Sequence, residues 1–176
     1  GLPNRVLLVE QLARAVQAIE RDRRVAVLFA DLDHLQRVNE TFGFAAGDQV
    51  VATIARRLGD VVRAQDLVAR HGGSQFVVIL ADVPDEFEAI LLADRLLACF
   101  AEPVDAGGRE LKVTGSVGIT LVEAGDDHLA ALRSAEIALH RAKEAGGGRY
   151  ALFDDALQVR SLHRLEREAD LHEVLT

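Results

Sequence analysis

The stretch ARHGGSQFVVIL (69–80) places two adjacent glycines between a basic segment and an apolar run. With the preceding DLV, it follows the pattern strand, Gly-Gly turn, strand, which predicts a β-hairpin with its tip at Gly72 and Gly73. Ser74 and Gln75, which follow the glycines, are neutral. They occupy the position from which a tight turn presents side chains to a ligand at the edge of a sheet.

Helices and strands alternate on both sides of this hairpin. The unbroken apolar run RRVAVLFADLD (23–33) is typical of a central strand buried on both faces. Further strands are predicted over 110–122 and 149–153, and helical periodicity predicts helices over 4–20, 45–62, 84–100 and 127–145. Because a hairpin interrupts the alternation, we expect an α/β (α+β) fold with a mixed central sheet flanked by helices.

Composition narrows the function classes. The 176 residues suit one domain, and 20 Lys and Arg against 28 Asp and Glu give a net charge of −8. Such an acidic chain is a poor general binder of nucleic acid, whose affinity rests on cationic contacts to phosphates. We expect no membrane contact, because no apolar run reaches the length of about 18 residues that suggests a span. With no secretory signal and a single cysteine, the chain is expected in the cytoplasm.

Two carboxylates end the central strand. Asp31 and Asp33 are two residues apart, so strand geometry places them on one face, at an edge where ligands of open sheets gather. Carboxylates there suit Mg²⁺. For Asp33 the preferred interpretation is helix capping, because Gln36 follows three residues later. Asp31 has no such role, and a charge that ends an apolar strand needs a partner or a cation.

The segment RVNETFGFAAGDQV (37–50) is rich in turn-forming residues. Asn39 and Asp48 form a carboxylate–amide pair that can read a guanine edge. Asp48 can equally cap the helix that follows. Gly43 and Gly47 are interpreted as backbone turns.

A second spacing of interest is RAQD, which separates Arg63 from Asp66 by two residues. A guanidinium binds a phosphate or a purine edge through two donors, and a nearby aspartate can orient it. On spacing alone, a surface ion pair is the favoured interpretation.

Several ordered segments together resemble one family. The segments are GLPNR (1–5), FADLDHLQRVNETFGFAAGDQVV (29–51), VARHGGSQFVVIL (68–80), VTGSVGITL (113–121) and AEIALHRAKEAGGGRYALF (135–153). They resemble the GGDEF family, the diguanylate cyclases that join two GTP molecules into cyclic di-GMP. The resemblance implies a domain over residues 1–153 with the ferredoxin-like mixed sheet of nucleotidyl cyclases and polymerase palms.

The resemblance also implies roles for residues of the active site. Asp31 matches the strand metal ligand, with the Leu32 carbonyl beside it. Asn39 and Asp48 match the guanine-reading pair, and Lys143 matches a phosphate-contacting lysine. Mg²⁺ is implied only where GTP is bound.

An inhibitory site is implied as well. Members of the family often carry an Arg-x-x-Asp motif that binds the product and ends five residues before the hairpin glycines. Arg63 and Asp66 have this spacing, since residues 67–71 lie between the motif and the glycines. Arg95, on the following helix, matches a second arm of the same cyclic di-GMP site.

The sequence departs from the family at the catalytic turn. Ser74 and Gln75 stand where the family has two acidic residues, and Leu35-Gln36 stands where it has Phe-Lys. An arginine expected close after the lysine falls in GGG, and Arg149, which follows, is the candidate to replace it. Two-metal phosphoryl transfer needs anionic ligands to hold its cations, so we predict no useful cyclase activity.

Three hypotheses therefore remain at the level of sequence. The first is a regulatory module that binds cyclic di-GMP at the inhibitory site, GTP at the former active site, or both. The second is a weakly active diguanylate cyclase, and the third is a scaffold that binds neither nucleotide and mediates dimerisation. Active members of the family work as homodimers, which leaves a homodimer open here.

The C-terminal residues 154–176 are similar to the helix that leads from a GGDEF domain to a following EAL phosphodiesterase domain. This similarity, with the absence of an initial methionine, predicts an excised part of a longer tandem protein. The alternative is a solvated helix that packs on its own domain.

Overall fold

The computed structural model describes residues 4–154 of the chain. Its elements, in chain order, are α1 (Arg5–Gln17), β1 (Arg24–Asp33), α2 (Leu35–Phe42), α3 (Phe44–Val61), β2 (Leu67–Gly72), β3 (Gln75–Val83), α4 (Glu86–Ala101), β4 (Val104–Ala106), β5 (Arg109–Leu111), β6 (Thr114–Val122), α5 (His128–Glu144) and β7 (Tyr150–Leu152).

The main sheet has five strands in the order β2-β3-β1-β6-β7. β1 pairs antiparallel with both β3 and β6, and β7 joins β6 in parallel. The predicted mixed sheet and the hairpin of β2 and β3 are therefore confirmed. β1 lies at the centre of the sheet, as its unbroken apolar run indicates.

The apolar run of β1 serves two cores. Alternate residues point to opposite faces of a strand. Ala26, Leu28 and Ala30 accordingly enter the core formed with α3 and α4, while Val27 and Phe29 enter the core formed with α1 and α5. A strand with helices packed on both faces exposes neither face to solvent, which explains why its sequence does not alternate between apolar and polar residues.

Residues 37–50, interpreted as turn-rich, are mostly helical. They form most of α2 and the start of α3, and the chain turns between the two helices at Gly43, whose φ is +93°. Only Gly43 has the predicted turn role, because Gly47 lies buried within α3. Asp48 is likewise inside α3, so its interpretation as the cap of that helix is wrong. Packing of Val38 and Val50 into the core outweighs the local turn preference.

Two other boundaries differ from the prediction. α4 begins at Glu86 with Asp85 as its capping residue, two residues later than Pro84 suggested. The strand predicted over 110–122 is two elements, because β5 pairs with β4 in a small separate hairpin and only β6 joins the main sheet.

Within residues 4–154, no helix combines the length and the apolar character that crossing a bilayer requires.

Candidate functional sites

The carboxylates at the end of β1 share one cation. Lys143 of α5 places its Nζ 3.3 Å from Asp31 Oδ2 and 3.3 Å from Asp33 Oδ1. The two carboxylates therefore lie on one face of the strand, as predicted. They also face Lys143, the residue expected to contact phosphate, so the sequence-predicted residues of this edge come together in space.

The hairpin turn, residues 72–75, closes over Asp31. Ser74 Oγ donates a hydrogen bond to Asp31 Oδ1 at 2.5 Å, and the Leu32 amide donates to the Ser74 carbonyl at 3.2 Å. Gln75 pairs with Asp31 across the sheet, while its Oε1 lies 3.3 Å from His71 Nδ1. The turn thus adds neutral groups beside Asp31 where the family pattern has acids.

Asp33 is a buried anchor and not a helix cap. Its side chain is 5% exposed and accepts hydrogen bonds from Thr114 Oγ1 at 2.7 Å, Ser116 Oγ at 2.8 Å and the Gly148 amide at 2.9 Å. Burial raises the pKa of this carboxyl, but the hydrogen bonds and the charge of Lys143 outweigh that effect and lower the pKa below its ordinary value.

The capping prediction for Asp33 is therefore wrong. His34 precedes α2 in the left-handed conformation and makes no side-chain capping bond. β1 continues in register to Asp33, which pairs with Thr114, and this pairing turns the carboxylate toward donors of β6 and of the glycine segment 146–148 after α5. These donors lie 81 or more residues away along the chain, so the local spacing to Gln36 does not reveal them.

The groups around Asp31 do not supply enough ligands to hold Mg²⁺ without a nucleotide. One carboxylate is joined there by a neutral hydroxyl and an ammonium, whereas Mg²⁺ typically uses one or two carboxylates together with substrate phosphates. Among the residues that the structure describes, no three His, Cys, Asp or Glu side chains form a metal-binding group. A divalent cation at Asp31 would depend on ligands from a nucleotide.

The two residues expected to read guanine lie on adjoining helices. Asn39 is half-buried in the last turn of α2, and Asp48 is exposed in α3. Gly47 lies directly beneath the Asn39 amide, because a Cβ built on Gly47 would overlap Asn39 Oδ1. Close approach of this amide, and not a turn, is what requires a glycine at position 47.

A second candidate site surrounds Arg63, in the loop between α3 and β2. Arg63 Nε lies 2.8 Å from Asp66 Oδ2 and Nη2 lies 3.1 Å from Asp66 Oδ1. The Asp66 side chain is 1% exposed and also accepts from the Ala81 amide at 3.3 Å, whereas Arg63 is 44% exposed. The pair is thus half-buried and bidentate, and not the plain surface ion pair that spacing alone favoured.

Arg63 and Asp66 open onto a surface pocket of about 210 Å³, here called the arginine pocket. Arg95 lines the same pocket, so the three residues predicted for the inhibitory site are neighbours. Glu88 also lines it, with its Oε2 3.8 Å from Arg63 Nη1. Sequence reasoning missed Glu88, although it precedes Arg95 by seven residues, or two helical turns, and therefore shares a face of α4 with it.

The two candidate sites lie at opposite ends of β3. Gln75 begins the strand beside the turn over Asp31, while Ala81 contacts Asp66 and accepts from Arg63 Nη2 at 3.2 Å. Six residues of extended chain separate these ends by roughly 20 Å.

A mixed sheet that presents strand carboxylates and a closing hairpin at one edge defines a domain of the nucleotidyl cyclase type. Residues 1–149 match the family described as "Diguanylate cyclase, GGDEF domain", and the chain belongs to this family.

Relatives and solved structures agree with the assignment. The chain is 36% identical to the cyclic di-GMP phosphodiesterase NbdA of Pseudomonas aeruginosa, over 99% of this chain and 22% of that protein. It is 35% identical to the bifunctional diguanylate cyclase/cyclic di-GMP phosphodiesterase MucR of the same organism, over 99% of this chain and 26% of that protein. The chain thus spans about a quarter of the length of these relatives.

Among solved structures, the GGDEF domain of TpbB (YfiN) from Pseudomonas aeruginosa superposes with a TM-score of 0.82 at 34% identity. That match covers 87% of this chain and 91% of the TpbB structure.

Proposed function

We propose that this GGDEF domain is a regulatory module that binds cyclic di-GMP in the arginine pocket and synthesises little or none itself. The observation that carries the proposal is the bidentate pair of Arg63 and Asp66, which opens onto a pocket shared with Arg95. At the other candidate site, the catalytic turn has the neutral residues Ser74 and Gln75.

The arginine pocket suits a ligand that carries both phosphates and guanines. A guanidinium donates hydrogen bonds to a phosphate or to the O6 and N7 atoms of guanine. Both oxygens of Asp66 already accept hydrogen bonds from Arg63, and Oδ1 also accepts from the Ala81 amide. Asp66 therefore acts by holding Arg63 in place, and the two arginines contact the ligand.

Weak or absent catalysis follows from the charges near Asp31. Phosphoryl transfer depends on electrostatic stabilisation, and removing one comparable contact from an enzyme lowers its rate by about 10²–10³. Two carboxylates are replaced here, and Lys143 already neutralises part of the charge of Asp31 and Asp33. A weakly active cyclase remains the alternative from a different class.

The former active site is proposed as a secondary site for GTP. Asn39 and Asp48 would read the guanine and Lys143 would contact the phosphates. Mg²⁺ brought with the nucleotide would add Asp31 and the Leu32 carbonyl as ligands and would neutralise phosphate charge. Mutation of Asn39 should weaken only GTP binding, whereas mutation of the arginine pocket should weaken only cyclic di-GMP binding.

We further propose that the domain occupies residues 1–153 of a longer cytoplasmic protein, in which residues 154–176 lead to an EAL phosphodiesterase domain. Residues 155–176 lie outside the described part of the chain. The proposal is supported by NbdA and MucR, whose names include phosphodiesterase and whose alignments cover 99% of this chain. A module of this kind would tune its neighbour, either as a monomer or as a homodimer.

Calorimetric titration with cyclic di-GMP tests the proposed function. We expect micromolar or tighter binding by the intact chain and its loss in Arg95→Ala. Arg63→Ala should abolish binding too, but it leaves the buried Asp66 carboxylate without its cation and is expected to lower stability. Arg95→Ala is therefore the decisive variant, and replacement of the exposed Arg56 of α3 is the matched control.

The possible outcomes separate the three functions. Binding that survives Arg95→Ala and Arg63→Ala would contradict the arginine pocket as the site. Flat titrations of the intact chain with both cyclic di-GMP and GTP would favour the scaffold, and cyclic di-GMP formed from GTP and Mg²⁺ or Mn²⁺ would favour the enzyme.

A further inference from the structure

We infer that Glu88 sets the affinity of the arginine pocket, because its carboxylate competes with an anionic ligand for Arg63. This inference rests on the proposed function, in which the ligand is cyclic di-GMP. With Glu88 present, half-saturation of the pocket requires a higher concentration of cyclic di-GMP than the two arginines alone would require.

The hydrogen bonds of Arg63 show which of its donors a ligand can use. A guanidinium carries five N–H donors. Nε and Nη2 are taken by Asp66, and Nη2 also donates to the Ala81 carbonyl at 3.2 Å. Nη1 is the nitrogen that faces Glu88, at 3.8 Å from Oε2. A ligand phosphate that approaches Arg63 without displacing Asp66 must therefore bind to Nη1, the nitrogen next to the Glu88 carboxylate.

Glu88 is the easier of the two carboxylates to displace. Asp66 is 1% exposed and held by backbone amides, whereas the Glu88 side chain is 43% exposed and its contact with Arg63 is longer than a hydrogen bond. Removal of the Glu88 charge leaves Arg63 fixed by Asp66 and Ala81. The arginine is thus pre-positioned whether or not Glu88 is present.

Glu88 and Arg95 place a negative and a positive side chain on the same face of α4, and both line the arginine pocket. Glu88, Leu92 and Arg95 are spaced four and three residues apart, so they lie on one face of the helix. Seven residues of helix separate the Cα atoms of Glu88 and Arg95 by roughly 10 Å along the axis. Among the charged residues that line the pocket, two arginines face two carboxylates, so their formal charges cancel.

The experiment is titration of cyclic di-GMP into the intact chain and into Glu88→Gln at low salt and at high salt. We expect Glu88→Gln to tighten binding about two- to fivefold at low salt, in line with the strength of exposed charge interactions. The gain should shrink at high salt, because mobile ions screen exposed charges. A change in shape alone would not produce this salt dependence.

Glu86→Gln is the matched control. Glu86 lies on the same helix and its replacement removes the same charge, but it lines a different groove, on the side of β6 and β7. We expect the affinity of Glu86→Gln to match that of the intact chain. An equal gain in both variants would overturn the inference, since it would reflect net charge and not the pair with Arg63.

The remaining outcomes distinguish this inference from the proposed function. If the intact chain binds and Glu88→Gln binds no more tightly, the inference fails while the proposed function stands. If neither protein binds, the proposed function itself fails. If only Glu88→Gln binds, Glu88 masks a site that is otherwise intact, which supports the inference.

Discussion

Ser74 and Asp31 are joined by a hydrogen bond in which the serine Oγ donates to Asp31 Oδ1 at 2.5 Å. A carboxylate at position 74 would therefore be carried to the end of β1, beside Asp31. The backbone already brings the turn to this place, so acidic residues introduced at positions 74 and 75 would lie beside Asp31 without a change of architecture.

The first prediction is that Ser74→Glu together with Gln75→Glu restores binding of a divalent cation. Two added carboxylates supply the anionic ligands that Mg²⁺ and Mn²⁺ require. Mn²⁺ binding is measured by electron paramagnetic resonance, and cyclic di-GMP formation from GTP is expected to rise by at least about 10²-fold over the unmodified chain. Ser74→Gln, which has similar size but no charge, should restore neither. Equal Mn²⁺ binding by the two variants would contradict the prediction.

The second prediction concerns Asp33, the buried carboxylate at the end of β1. Asp33→Asn should lower the free energy of unfolding by about 3 kcal/mol, because it removes a buried charge on which three hydrogen-bond donors and Lys143 converge. Urea denaturation measures the change. Asp94→Asn, at an exposed position on α4, should change the free energy by less than about 0.5 kcal/mol. A loss at Asp33 no larger than this would show that the anchor contributes little.

The third prediction is the pH dependence of that stabilisation. The folded-state pKa of Asp33 lies below its ordinary value of 3.8, so the folded state binds the proton less readily than the unfolded chain does. The stability that this carboxylate contributes is therefore fully present above the ordinary pKa and is lost as the pH falls through the lowered pKa.

Urea midpoints of the unmodified chain and of Asp33→Asn, measured from neutral pH down into this acidic window, provide the test. The two midpoints should converge as the pH falls. A constant difference between them would mean that Asp33 does not contribute through its charge.

The fourth prediction is that Gly47→Ala weakens GTP binding without weakening the fold. A methyl group at residue 47 would displace the amide of Asn39, while alanine is a better helix former than glycine by about 1 kcal/mol. GTP titration and thermal unfolding measure the two effects.

Asn39→Ala and the double variant supply the matching controls for Gly47. If the glycine acts by seating the Asn39 amide, the double variant should bind GTP as weakly as Asn39→Ala alone, since both changes remove one interaction. Additive losses of affinity would contradict this. Cyclic di-GMP binding should be unchanged in all three variants.

Features that depend on a single strand, helix or turn could be predicted from the sequence. The apolar run of β1 predicts its central place, and Gly72-Gly73 predicts the hairpin that makes the sheet mixed. Asp33 shows the limit of such prediction, because its spacing to Gln36 suggests a cap, whereas Thr114 and Ser116 of β6, far along the chain but adjacent in the sheet, bind the carboxylate. Local spacing records the donors within a few residues and carries no information on those that the sheet brings together.

The same limit applies to the candidate sites. Arg63 and Asp66 are close in sequence, so their pairing was foreseeable, but the burial of Asp66 depends on Ala81 of β3. Glu88 was foreseeable only as a residue on the face of α4 that carries Arg95. Its contact with Arg63 arises from the way α4 packs near the loop after α3, which no periodicity within α4 reveals.

β3 pairs with β2 on one side and with β1 on the other, and it carries one candidate site at each end. A strand so held cannot slide, since a slip of one residue would turn its core side chains to the opposite face. We therefore expect the hydrogen bonds at both ends of β3 to open together when the hairpin unfolds locally. A ligand that binds the folded state at the arginine pocket lowers the population of opened molecules. Cyclic di-GMP should therefore slow amide hydrogen exchange along the whole hairpin, as far as the turn at Ser74.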